Sequence, residues 1–283
     1  MNSIDSSRAS DTRNPVRIIL IRCALVCLTW IAIASDLPAQ RADGTSVVWK
    51  QSNLLAAPEA DQAAAADAKF LYAISGTEVA KYDRESGKRL AISTGPAKHL
   101  NSGFIWEGKL YCAHSNYPRK PEQSEIKVLD PETMKLSTFK DFGNSEGSLT
   151  WAVHHDGQWW CNFAYYGDEN AKTYLVRLNN DWQETGRWTY PAPVLREMGQ
   201  FSISGGIWHQ GDLLVTDHDN RVLYRLRLPK DGSVLEFLGK EISPCTGQGI
   251  AADPKTGGIV GIDRGKHLIV MASAPSNRSK ESE

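Results

Sequence analysis

The sequence predicts an all-β fold, a five-bladed β-propeller in which the N-terminal strand closes the last blade. Three observations lead there. The 283 residues carry 23 Gly, 13 Pro, 9 Trp and 9 Tyr, a blend that suits many short strands joined by tight turns. Five segments with one shared pattern recur at spacings typical of propeller blades. The fifth segment lacks a final strand, and an unassigned strand precedes the first.

Composition narrows the function classes. With 32 Lys+Arg against 33 Asp+Glu and a formal charge of -1, no basic field exists to neutralise phosphates, so nucleic acid is excluded as an expected partner. Residues 1–40 read as a secretory signal peptide. Arg8, Arg13 and Arg17 form a positive n-region, and the run Cys23 to Ala34 after Arg22 holds no charge. That run falls short of the ~20 apolar residues a membrane span needs, and Ala34 and Ala39 offer cleavage sites. An uncleaved anchor is the alternative, because Ile18 to Ile21 lengthen the apolar stretch if Arg22 snorkels. Either way the remainder is expected outside the cytoplasm, without further membrane attachment once the signal is removed, as a monomer.

The propeller domain is expected over residues 41–275. Its first strand is SVVWKQSNLL, the piece that closes the last blade. The five repeats begin at Asp61, Leu100, Leu149, Ile203 and Gly247 and align Gln62, Asn101, Thr150, Ser204 and Gln248, with spacings of 39, 49, 54 and 44 residues. Each continues through an alternating strand such as TEVAKYD, SEIKVLD, TYLVRLN or RVLYRLRL and a turn such as RESGK, PETMK or PKDGS. The alanines of DQAAAADAK favour a helix, but the repeat register places them on a first strand, and register overrides propensity. The polar residues 276–283 read as a disordered tail.

Of the five cysteines, Cys23 and Cys27 leave with the signal. Cys112, Cys161 and Cys245 remain, an odd number that precludes a fully paired disulfide framework. Cys112 and Cys161 occupy matching places in apolar strands and read as buried free thiols. No Cys/His spacing suggests structural zinc.

In a propeller the start of each first strand and the loop after each second strand share one face, since those strands are antiparallel. That geometry collects Gln62, His99, Asn101, Ser148, Thr150, Ser204 and Gln248 from the strand starts. The loops add His114, Asn116, Tyr165, Tyr166, Asp217, His218, Asp219, Asp263 and Arg264. His218 in TDHD and His114 in AHSN suit general acid/base roles, with Asp217 or Asp219 to orient His218. Arg264 suits a fork onto a substrate carboxylate, or else an internal pair with Asp263 or Asp219. Trp151 and Tyr165 near the mouth suit stacking on a ring, or packing between blades. The polar set equally suits hydrogen bonds that tie blades together. A divalent ion on His99, His114, His218 and neighbouring aspartates is a further reading without a fixed geometry, and no other cofactor is expected. His154 and His155 precede a turn on the opposite face and read as surface. There is no GxSxG elbow, P-loop or dinucleotide fingerprint.

Taken in order, HLNSG, LYCAHSNYP, GSLTW, WWCNFAYYG, SISGG, TDHD and GQGIAAD resemble a family of small exported five-bladed propeller proteins, some labelled cycloisomerase. The resemblance spans roughly residues 55–272. It implies polar site positions at Gln62, His99, Asn101, His114, Asn116, Ser148, Ser204, His218, Asp219, Gln248 and Arg264. Similar sequences have TGHD where this chain has TDHD, so Asp217 puts a carboxylate beside His218 in place of a glycine. The expected function is lactone opening or closing, or a related isomerisation, on a small carboxylate or sugar-derived substrate. His218 moves the proton, Asp219 orients it, His114 is the second acid and Arg264 holds the carboxylate. The alternative is a noncatalytic module that binds a glycan or protein.

Overall fold

The computed structural model describes residues 47–274. The signal, anchor and tail readings fall on residues outside that range. Strand β1 (Val47–Val48) and strand β2 (Lys50–Ala56) come first. Blade 1 is β3 (Ala63–Ala66), β4 (Phe70–Ile74), β5 (Val79–Asp83) and β6 (Arg89–Ile92). Blade 2 is β7 (His99–Trp106), β8 (Lys109–Ser115), β9 (Gln123–Asp130) and β10 (Lys135–Asn144). Blade 3 is β11 (Ser148–His155), β12 (Gln158–Ala164), β13 (Tyr174–Leu178) and β14 (Glu184–Thr189). Blade 4 is β15 (Gly205–His209), β16 (Asp212–Thr216), β17 (Val222–Arg227) and β18 (Glu236–Ile242). Blade 5 is β19 (Ala251–Asp253), β20 (Gly258–Asp263) and β21 (Leu268–Ser273), completed by β2.

Five antiparallel sheets thus form a five-bladed propeller. The alanine run is strand β3, fully buried, because a first strand at the crowded axis needs small side chains more than it needs helix propensity. The hairpins between first and second strands in blades 2, 3 and 4 turn at Glu107-Gly108, Asp156-Gly157 and Gln210-Gly211, each pair with both φ angles positive. That is the type I′ turn, whose twist matches the flanking strands and which favours glycine at its second position.

Closure follows the expected route, with one refinement. β2 pairs antiparallel with β21, Leu54 opposite Val270, and completes blade 5. β1 pairs parallel with β18 instead, Val47 opposite Glu241, so the N-terminal segment straddles two blades. Trp49, between the two strands, is buried and donates its indole N–H to Glu241 Oε2 at 2.6 Å. Arg84 adds a buried ion pair with Asp253 across blades 1 and 5.

Around the axis neighbouring blades are stitched sideways. Asn101 Nδ2 donates to Leu149 O at 2.9 Å, and Thr150 Oγ1 donates to Ile203 O at 2.7 Å. Thr216 Oγ1 donates to Gln248 O at 2.5 Å, and Gly249 N donates to Gln62 O at 3.0 Å. Side-chain donors can reach across because the first strands bulge between Leu100 and Gly103 and between Leu149 and Trp151, which turns Asn101 and Thr150 out of their ladders. The strands approach closely. A Cβ on Gly206 would stand 2.5 Å from the Trp151 ring, and one on Gly249 2.6 Å from Ala63 Cβ. The middle of the axis is packed, not open.

Thr150 is anchored twice in this girdle, since its hydroxyl also accepts from Asn162 Nδ2 at 2.8 Å. Thr150→Val keeps the shape and removes both bonds, leaving a buried carbonyl short of one donor. We expect a loss of about 1–3 kcal/mol, read from urea unfolding with an unchanged m-value. Wild-type stability in the variant contradicts the girdle's role.

Candidate functional site

The upper face carries the first-strand starts and the second-strand loops. Its centre of charge is an open bowl of about 450 Å³ lined by Asp61, His218, Asp219, Thr246, Arg264 and His267. The loop after β16 supplies His218. Its turn is held by Asp217, buried at 1% exposure, whose Oδ1 accepts from the backbone N–H groups of Asp219 at 3.1 Å and Asn220 at 2.8 Å. Tyr224 Oη donates to Asp217 Oδ2 at 3.2 Å. Gln248 Nε2 donates to His218 O at 2.8 Å, so the loop is fixed from both sides. Phe201 stacks on the imidazole with ring centroids 3.9 Å apart.

The ring nitrogens have separate partners. His218 Nδ1 lies 2.6 Å from Asp219 Oδ1, and Nε2 lies 3.1 Å from Arg264 Nη1. A guanidinium only donates, so Nε2 accepts and the proton sits on Nδ1, facing the carboxylate. This leaves Nε2 as the basic nitrogen, oriented by Asp219. Arg264 also donates through Nε to Asp61 Oδ1 at 3.0 Å, while its backbone N–H binds Thr246 Oγ1 at 3.0 Å. Asp61 in turn accepts from Gln62 Nε2 at 3.1 Å. One arginine on blade 5 therefore spans to His218 on blade 4 and to Asp61 ahead of blade 1. His99 stands close by. Burial, reinforced by the Arg264 charge, lowers its pKa from the ordinary 6.5.

No family model matches the chain, and no curated protein matches its sequence. Solved structures do match by shape. A glutaminyl cyclase from Myxococcus xanthus superposes with a TM-score of 0.57 at 11% identity, covering 82% of this chain and 99% of that one. A mitotic checkpoint complex chain aligns at TM-score 0.45 and 10% identity, covering 83% of this chain and 98% of that one. The cyclase likeness establishes the five-bladed propeller fold.

The structure brings together His218, Asp219, Arg264, Gln62 and Gln248, with His99 beside them. Asp217 and Gln248 act through backbone contacts with the His218 loop. The other expected residues are placed elsewhere or turned inward. Arg264 pairs with Asp61, not with Asp263 or Asp219. Asp263 instead accepts from Arg221 Nη2 at 2.8 Å. Asn101 belongs to the girdle, and Ser204 Oγ donates to Ser202 O at 3.1 Å. Asn116 closes its own loop, donating to Pro121 O and accepting from Gln123 N. Trp151 is wholly buried against Gly206, so it is no platform at the mouth. Ser148 is buried with no hydrogen-bond partner for its hydroxyl among the described residues. Tyr165 lines a separate groove of about 200 Å³ with Tyr117 and Tyr166. Among the described residues no cluster of three or more His, Cys, Asp or Glu side chains is arranged to hold a metal ion.

His114 departs most from expectation. It faces a cavity beside blade 2 and shares no pocket with His218. Lys98 N donates to its Nε2 at 2.9 Å, and Nδ1 lies 3.0 Å from Glu125 Oε2 without the alignment a hydrogen bond needs. Burial, with the Lys127 charge adding, pushes its pKa down to about 4. On the lower face His154 and His155 stack on Trp106 and Trp208 and flank an apolar pit. Asp61 and Phe201 were missed. The only signal for them was their position, each just before a repeat's first strand.

The lowered His114 pKa carries a sign. The unfolded imidazole takes up a proton near 6.5 and the folded one near 4, so its stabilising contribution is complete above pH 6.5 and is lost as pH falls toward 4. Denaturant unfolding at pH 7.5, 6 and 5 should show falling stability, with a total effect on the order of 2–3 kcal/mol. His114→Gln should flatten that slope. An equal slope in the variant contradicts the assignment.

Proposed function

We propose that the chain is an exported enzyme whose upper bowl opens or closes a small ring on a carboxylate or sugar-derived substrate, in the manner of a lactonase or cycloisomerase. The observation that carries this reading is the locked imidazole: Asp219 on Nδ1, a basic Nε2, and a cationic fork beside it. Proton transfer at a neutral oxygen needs such a base, and a product carboxylate needs a cation. Arg264 is held in a bowl open to solvent, with its side chain 38% exposed, so a substrate carboxylate can take over the contacts that Asp61 and Nε2 now occupy.

For ring opening, Nε2 takes a proton from an attacking water as oxygen bonds to the lactone carbonyl. The ring C–O bond then breaks, and the imidazolium returns the proton to the departing alkoxide. The product is a hydroxy acid that releases its carboxyl proton to solvent, and the resulting carboxylate rests on Arg264. Asp219 stabilises the transient imidazolium without itself taking the proton. Ring closure runs the same steps in reverse. The fold likeness to a glutaminyl cyclase is compatible with ring-forming chemistry and adds glutaminyl peptides to the substrates worth testing.

A binding role for a glycan draws on the Tyr117, Tyr165 and Tyr166 groove, which lies apart from His218. The two readings separate in one experiment. The purified protein is screened against lactones, sugar acids, glutaminyl peptides and glycans, with and without chelator, and hits are followed by rate and by binding titration. His218→Ala should lower kcat by roughly 10²–10⁴-fold, and Arg264→Met should raise KM more than it lowers kcat. Full turnover in His218→Ala refutes the mechanism, and saturable glycan binding without turnover of any substrate favours the binding role.

A further inference from the structure

The lone pair that takes the proton in the bowl is already engaged. His218 Nε2 accepts from Arg264 Nη1 at 3.1 Å, and a neutral imidazole has a single acceptor nitrogen. While that contact stands, no attacking water can hydrogen-bond to the base. The guanidinium that covers it is only partly committed. Its Nε donates to Asp61 Oδ1 at 3.0 Å, whereas Nη2 donates to no protein group among the described residues. The side chain is 38% exposed, so the Nη edge can be reached from solvent. Asp61 engages the Nε edge, and Asp219 engages the other ring nitrogen, Nδ1. Neither carboxylate covers Nη2.

Acceptor strength decides what moves the guanidinium. A hydrogen bond from arginine to an ionised oxygen is roughly twice as strong as one between neutral groups and is often bidentate, so a carboxylate at the Nη edge outcompetes the neutral imidazole. His218 cannot follow. Asp219 holds its Nδ1, Phe201 stacks on the ring at 3.9 Å between centroids, and Gln248 holds its backbone carbonyl. Arg264 is tied at its backbone N–H to Thr246 Oγ1, which leaves its long side chain to swing. We propose that Arg264 is a latch that caps His218 Nε2 until a carboxylate draws it off, so that the base is switched on by an anion. The inference rests on the reading of Nε2 as the base and adds its regulation by a small carboxylate, carried by the substrate or supplied separately. Asp61 and Asp219 lie close enough to keep that carboxylate's affinity weak.

The latch is read without turnover. Diethyl pyrocarbonate acylates an imidazole nitrogen through its free lone pair, so the labelling rate of His218 relative to His155, which lies on the lower face, reports how often Nε2 is uncovered. The full-length protein is labelled at pH 8 in sodium acetate up to ~0.2 M, against sodium chloride at equal ionic strength, and sites are resolved by tandem mass spectrometry. Acetate should speed His218 labelling by roughly three- to tenfold, the factor that one net hydrogen bond is worth. Arg264→Met should label fast from the outset and ignore acetate. An anion that merely occupied the bowl would shield His218, so a slower or unchanged rate in the wild type overturns the proposal, whether or not the variant folds. An acetate response that survives Arg264→Met overturns it too. With δ-valerolactone, a substrate lacking a carboxylate of its own, acetate should raise kcat by a similar factor, and turnover indifferent to acetate contradicts the latch. Acetate-dependent labelling without turnover of any lactone upholds the latch and refutes the ring-opening reading.

Discussion

Ring closure is the constraint on which the rest depends. A single blade cannot bury both its faces, so each must be clamped between neighbours, and the last must meet the first. Here the clamps are lateral hydrogen bonds at the axis, from Asn101, Thr150, Thr216 and the Gly249 amide. Donors this short require the first strands to approach nearly to contact. That is why Gly206 and Gly249 have no room for a side chain, and why the alanines of β3 are where they are. A packed axis leaves two shallow ends instead of a channel, and chemistry is confined to whichever end carries the charges.

The upper end carries them, and closure arranges them. Arg264 and Asp61 flank the junction of blades 5 and 1 where the ring is sealed, His218 comes from the loop after β16 in blade 4, and the single guanidinium joins them. The same interaction, together with Asp219 on Nδ1, sets the imidazole tautomer. Structure and reactivity therefore share one contact, and a substrate that draws Arg264 away frees Nε2 in the same movement. Asp217 precedes His218 in the chain but does not enter the bowl. It is turned inward to hold the loop, a role its short carboxylate fills by accepting backbone N–H groups.

Much of the fold was legible because repeats leave a signal that single strands do not. Gln62, Asn101, Thr150, Ser204 and Gln248 do mark equivalent heights in five blades, and the Gly-containing turns mark the lower hairpins. What the alignment conveys is height along the axis. It does not convey which way a side chain points, because successive strand residues alternate and the bulges near Asn101 and Thr150 shift that alternation. His114 sits near the end of second strand β8 and His218 just after second strand β16, yet one faces a cavity on blade 2 and the other the bowl. Trp151 was placed near the mouth for the same reason and is buried. Cys112 and Cys161, in contrast, sit in uninterrupted second strands, and both are buried free thiols. Burial pushes the Cys112 thiol up to about 12 and the Cys161 thiol higher still. Asp61 carried no pattern, since its partner lies 203 residues away.

The central claim is that Arg264, placed by ring closure, holds His218 as an oriented base. The tautomer of that imidazole tests it most directly. In protein labelled with ¹⁵N-histidine, the long-range couplings of the His218 ring in its neutral form should show protonated Nδ1 and bare Nε2, and removing both partners together, in Arg264→Met with Asp219→Leu, should release the preference. A neutral ring protonated on Nε2 in the wild type, or a tautomer unmoved in the double variant, would contradict the account.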